Sequence, residues 1–204
     1  MNGVDRLDAP GLRERKKALT RRAIQEQALR LFLAKGYDAA TVEEIAAAAG
    51  VSHMTVFRYF PHKEDLVLAD DYDPLIVALI AARPASEPAA DTIRRALTAG
   101  LTHLHAADRA ALLTRLRLAV RTPALRARLW EQQLSAERLI AQALAHATGD
   151  DGADLRLRVV IAACLAAATT VIMAWAEQDG AGDLPTMVDR AFADLRDALS
   201  VTGG

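Results

Sequence analysis

Apolar residues recur at three- and four-residue spacing through most of the chain, and no stretch alternates at period two over a useful length. The pattern predicts an all-α protein of about nine helices. Ile24, Ala28, Leu31 and Phe32 mark the inner face of a first helix from about Arg13 to Lys35, and Gly36 stands where a left-handed C-cap would end it. A second helix begins at Thr41, where Thr41 and Glu44 have the spacing of a capping box. Its inward residues are Ile45, Ala48 and Ala49, and Gly50 breaks it. Ser52 caps a short third helix that ends near Phe60, with Val56, Phe57 and Phe60 as its inward set. Beyond Pro61, a fourth helix is predicted through Leu66, Leu68, Tyr72, Leu75 and Leu79 to about Ala82, taking up Pro74 as a kink or break.

Arg83-Pro84-Ala85-Ser86-Glu87-Pro88 interrupts the pattern. Helices are predicted beyond it at about 89–106, 108–121, 123–148, 152–178 and 184–201. Asp108, Pro123, the Gly149–Gly152 turn and the Gly180–Asp183 turn punctuate them. The chain thus divides into a flexible lead at 1–12, a three-helix unit at 13–62 and a helical body at 63–204.

Composition sharpens this picture. Hydrophobic residues make up 52% of the chain but aromatics only 4%, which suits helices packed closely through alanine and disfavours sheets. The net charge of −1 hides an asymmetry: residues 11–35 hold eight Lys/Arg against two acidic residues, and residues 69–204 hold 14 against 17. A basic end on a slightly acidic body suits a nucleic-acid-binding head with another function behind it. The single cysteine, Cys164, excludes an internal disulfide and fits a reducing cytosol. The acidic, polar start MNGVDRLDAPG is not a signal peptide. Val159 to Ala176 runs 18 residues without a charge, long enough for a membrane span. It is mostly Ala and Thr and is read as a buried helix, so no membrane partner is expected and the location expected is cytoplasmic.

Helices two and three have the form of a helix-turn-helix, in which the exposed face of the second helix enters the major groove. His53, Met54, Thr55, Arg58 and Tyr59 then point outward. His53, in the first turn, could bond a purine N7, and Met54 could touch a thymine methyl or the sugar. Thr41, Ser52, Thr55, Tyr59 and Lys63 suit phosphates, since hydroxyls, an ammonium and a helix N-terminus position a protein without reading bases. Arg13, Arg15, Lys16, Lys17, Arg21 and Arg22 offer further phosphate contacts or a solvated basic end.

Residues 20–68, with LRLFLAKGYDAATVEEIA followed by AAAGVSHMTVFRYFPHKEDLV, resemble the DNA-binding domain of the TetR family of bacterial transcriptional regulators. The resemblance implies a homodimer with a helical C-terminal domain for ligand binding and dimerisation, usually a repressor. It also implies operator contacts at Thr41, His53, Met54, Thr55, Phe57, Arg58, Tyr59 and Lys63. The chain departs from the family pattern at Met54, where a small residue is frequent, and at Phe57, where tyrosine is frequent. Phe57 lacks a hydroxyl for phosphate.

A single head covers few base pairs, so a twofold dimer on a palindromic operator in double-stranded DNA is expected on physical grounds too. The predicted seam is the pair of apolar stripes Ile161, Leu165, Ala168, Ile172 and Trp175, then Leu184, Val188, Ala191, Leu195 and Leu199. Candidate ligand-binding residues are His103, Leu116, Arg117, Trp130, Leu134, Cys164, Thr169 and Met173, which combine apolar bulk with isolated polar groups. The C-terminal portion loosely resembles regulators with acyl-CoA-like ligands. Leu112, Leu113, Leu116 and Leu118 beside Arg115, Arg117 and Arg121 would suit an apolar chain with an anionic head. A planar drug-like compound competes with that class, as does no ligand at all. The five histidines form no HExxH array, and neither GxSxG nor a phosphate-binding glycine loop is present, so an enzyme, a metal centre and a cofactor are not expected. Activation and a dimeric DNA-binding co-regulator that senses nothing are the alternatives to ligand-released repression.

Overall fold

The computed structural model describes residues 12–68, 72–84, 86–148 and 154–200, without the side chains of 72–75, 107, 146–148, 199 and 200. The predicted lead before Leu12, the 149–152 turn and the side chains of Tyr72, Leu75 and Leu199 lie outside the described residues. Every regular element within them is helical: α1 Leu12–Lys35, α2 Val42–Ala48, α3 His53–Tyr59, α4 Asp65–Leu68, α5 Tyr72–Ala81, α6 Ala89–Arg121, α7 Pro123–Thr148, α8 Leu155–Glu177 and α9 Leu184–Ser200. The chain forms two compact units, residues 1–69 and 70–204.

In the first unit, local chemistry sets each helix end. Gly36 leaves α1 at φ +87°, a conformation a side chain resists, and its amide bonds the Phe32 carbonyl. The Thr41 hydroxyl accepts from the Glu44 amide at 3.2 Å and the Glu44 carboxylate accepts from the Thr41 amide at 3.1 Å, completing the capping box. Lys35 Nζ bonds Glu44 Oε1 at 2.5 Å, tying the end of α1 to α2. The core takes Ile24, Ala28 and Phe32 from α1, Ile45 and Ala46 from α2, Val56 and Phe60 around α3, and Leu66 and Val67 from α4.

Two expectations change here. Ala48 is exposed and Ala46 is buried in its place. The face Val42-Ile45-Ala46-Ala49 keeps helical spacing, and Ala48 lies off it. Phe57 is 38% exposed and stacks edge-on to His53, with ring centroids 4.8 Å apart, instead of joining the core. Residues 69–71, between α4 and α5, lie outside the described residues, and Pro74 falls within α5.

In the second unit α8 packs on α6, α7 and α9, while α5 packs on α6 and α7. By length and composition α8 could cross a membrane, but here three helices of its own unit pack on it and a third of that apolar window is buried. Helix α6 breaks at Asp108, as the sequence predicts. The backbone leaves helical geometry there, and Asp108 Oδ1 accepts from the Ala111 amide to start the next stretch. The α8–α9 turn holds Asp179, Gly180 and Gly182 at positive φ. Arg109 donates to the Gly180 carbonyl, Arg117 pairs with Asp179, and Trp175 Nε1 donates to the Gly182 carbonyl at 3.2 Å. The two arginine bonds pin the turn to the second half of α6, and the Trp175 bond ties it back to the end of α8.

Candidate nucleic-acid interface

Two short helices in the first unit build the surface. Four residues join α2 to α3: Gly50 supplies φ +66°, Val51 N bonds the Ala46 carbonyl, and the Ser52 hydroxyl accepts from the Thr55 amide at 3.1 Å. Ser52 therefore works as the N-cap of α3. Only Val56 of α3 is buried. His53, Met54, Phe57 and Arg58 are exposed, Met54 to 71%, and Thr55 and Tyr59 are half-buried. A seven-residue helix that buries one side chain is held by its cap and its neighbours, which leaves its outer face free to touch something else.

The predicted residues differ in how free they are. The His53 Nε2 lies 3.8 Å from the Glu43 carboxylate. Thr55 Oγ1 is 2.9 Å from Ser52 Oγ, and the Arg58 guanidinium lies over the Tyr59 ring. Thr41 serves the capping box. Lys63 is the most constrained: its ammonium donates to the Tyr37 carbonyl at 2.6 Å and sits 4.5 Å from the Tyr37 ring centroid. Burial and the neighbouring Glu64 carboxylate keep the Tyr37 hydroxyl protonated. Lys63 thus fastens the loop after α1 as well as offering charge. Along α1, residues 12–19 are exposed throughout, so Arg13, Arg15, Lys16 and Lys17 present an uncovered basic surface.

The residues predicted for the second unit fall in different places. Ile161, Leu165, Ala168, Trp175, Leu184 and Val188 of the predicted seam are buried in that unit's own core. Ile172, Ala191 and Leu195 are half-buried. Of the ligand candidates, Cys164 is buried, and burial pushes its thiol up to about 11, so it stays protonated at neutral pH. Leu116 packs on the core and Arg117 is paired with Asp179. His103, Trp130 and Leu134 are exposed, and Thr169 and Met173 are half-buried on α8. None of the eight lines the open cleft of about 490 Å³ between the first half of α6 and the start of α9, which Thr98, Thr102, His105, Asp183, Thr186 and Asp189 border. Sequence reasoning missed these six. Thr98, Thr102 and His105 have the spacing of an ordinary polar helix face, and only the fold brings α9 opposite them. Among the described residues, no three His, Cys, Asp or Glu side chains gather as a metal site.

Residues 24–69 match the bacterial regulatory proteins of the tetR family, and residues 87–200 match the MftR C-terminal domain. The chain belongs to the TetR family of bacterial transcriptional regulators. It is 35% identical to the HTH-type transcriptional regulator TcmR of Streptomyces glaucescens over 176 residues, 82% of this chain and 78% of that one. Among solved structures, the TetR-family repressor FadR of Thermus thermophilus, in complex with lauroyl-CoA, is 25% identical with a TM-score of 0.52. That match covers 85% of this chain and 91% of FadR. A TetR-family regulator from Streptomyces coelicolor A3 is also 25% identical, with a TM-score of 0.56 over 95% of this chain and 98% of its own. Membership makes this TetR chain a DNA-binding regulator of transcription and not an enzyme. In that frame the α2–turn–α3 unit is its helix-turn-helix, the part that meets DNA.

Proposed function

We propose that the protein is a cytoplasmic homodimeric repressor that holds a palindromic operator and releases it when a small molecule binds the second unit. The observation that carries this reading is the outer face of α3, where His53, Met54 and Arg58 stand exposed on a capped helix whose only buried residue is Val56. His53 and Met54 read base edges from the first turn, and Arg58 reaches a base or a phosphate. Thr41, Ser52, Thr55 and Tyr59 position the head on phosphates, with Lys63 adding charge and Phe57 packing against the sugar-phosphate edge. The basic face of α1 adds sequence-independent attraction that weakens with salt.

Dimerisation uses the face of α8 that its own unit leaves uncovered. Leu155 and Val159 are exposed there, followed at helical spacing by Ala162, Ala166, Thr170 and Met173. Small residues let a second copy of the helix approach closely, and two exposed aliphatic side chains reward its arrival. An acyl-CoA-like or other small hydrophobic effector is supported by the likeness to the lauroyl-CoA-bound FadR.

Selection from randomised duplexes by the purified full chain, at a fixed salt concentration, tests the reading. An enriched palindrome is expected, and lauroyl-CoA or a drug-like hydrophobe is expected to lower affinity for it. Enrichment of a single half-site rejects the dimer, and operator affinity indifferent to every hydrophobic effector tried favours a co-regulator that senses nothing.

A further inference from the structure

The corner between α2 and α3 holds a carboxylate that the fold does not use. Glu44 completes the capping box and pairs with Lys35. Its neighbour Glu43 is exposed, and its partner among the described residues is His53, with Oε1 3.8 Å from Nε2. Phe57 meets the same imidazole edge-on, with ring centroids 4.8 Å apart and planes at 78°. An anion on one side and an aromatic ring on another hold the orientation of a side chain on the outer face of α3.

A neutral imidazole carries one proton, and the partner of one nitrogen decides what the other offers. A carboxylate oxygen at 3.8 Å is beyond hydrogen-bond length, yet close enough for its field to favour the proton on Nε2. Nδ1 is then a lone-pair acceptor. In the major groove the donors are the amino groups of adenine N6 and cytosine N4, whereas guanine O6, thymine O4 and purine N7 are acceptors. The charge of Glu43 works in the same direction, since it repels the keto oxygens.

We propose that Glu43 is a positioning residue for base recognition. Acting through His53, it makes the imidazole an acceptor that selects an amino base, adenine or cytosine, over a keto base. The inference rests on the operator reading above, in which His53 meets a base edge, and adds which chemistry that edge must carry.

Fluorescence anisotropy of the full chain on the selected palindrome, at about pH 8 where an ordinary imidazole is neutral, tests it. Transitions are made at each position of the half-sites, since A-to-G and C-to-T each exchange an amino group for a keto group. The position read by His53 is the one whose preference is abolished by His53→Phe, which keeps a ring beside Phe57 without the nitrogens. There the wild type is expected to favour the amino base about ten-fold. Glu43→Gln should cut that preference to about two-fold or less, since glutamine both donates and accepts. Preferences at other positions and the thermal midpoint should not move, because Glu43 is exposed. Adding Glu43→Gln to His53→Phe should change nothing further, as for a residue that acts through the histidine. Nitrogen NMR of the free chain gives a second readout: the His53 proton should sit on Nε2 in the wild type and lose that preference in Glu43→Gln. An absent palindrome would overturn the operator reading and this proposal with it. A palindrome with no position sensitive to His53→Phe, a keto base preferred at that position, or full preference kept by Glu43→Gln would each overturn this proposal alone.

Discussion

Helices α3 and α8 invert one another. Of α3 only Val56 is buried, and its ends are set by the Ser52 cap and the Phe60 amide on the Val56 carbonyl. Helix α8 buries Ile161, Cys164, Leu165, Ala168, Trp175 and Ala176 and closes its end on Trp175 and the Gly180–Gly182 turn. A helix held by its caps and its neighbours keeps its side chains available. A helix that builds a core is held by its side chains, so its surface is what packing leaves over. Substitutions in the two should therefore act on different observables.

The largest separation is expected between two truncations. Trp175→Ala removes a fully buried ring and its bond to Gly182, and should cost about 3–5 kcal/mol, read as a fall in thermal midpoint. Met54→Ala, 71% exposed, should stay within about 0.5 kcal/mol by the same measurement. Glycines give the next contrast. A Cβ at Gly180 would lie 2.8 Å from Leu113 Cδ2 at φ +77°, so Gly180→Ala should cost about 2–4 kcal/mol in denaturant unfolding. Gly50 shares the positive φ but has open space around its Cβ direction, so Gly50→Ala should cost only about 1–2 kcal/mol. Equal costs would refute the tight approach of α6 to the α8–α9 turn.

Cap removal follows. Thr41→Ala should cost about 1 kcal/mol by deleting the hydroxyl of the capping box, again by denaturant unfolding. The smallest effect concerns pH. The folded carboxyl of Asp183 lies below its ordinary value of 3.8, so its contribution to stability is complete above that value and is lost as pH falls through the depressed one. Asp183→Asn should flatten the acid limb of a melting-temperature profile slightly, and an unchanged profile would reject the Thr186 bonds as its cause.

Much of the head was legible in the sequence because its signals are local. Thr41 with Glu44, Ser52, Gly36 and Gly50 each act within a few residues, and the break at Asp108 is of the same kind. The apolar character of Phe57 points inward, yet its position on α3 turns it toward His53. The stripes on α8 and α9 were visible, but an apolar stripe does not say whose helices cover it. Trp175 and Val188 are covered by the same subunit, and the exposed face at Leu155 and Val159 was not singled out. The cleft was illegible because Thr98 and Asp183 meet only through the packing of α6 on α9.

On the proposed function, base reading belongs to α3 and the other contacts are to phosphates. Fluorescence anisotropy with the selected palindrome, comparing the wild type with the combined His53→Ala, Met54→Ala and Arg58→Ala variant, tests it most directly. The variant is expected to keep its thermal midpoint and dimeric mass while operator affinity falls to that for unrelated DNA. Operator affinity equal to the wild type's, in a folded dimeric variant, would contradict it.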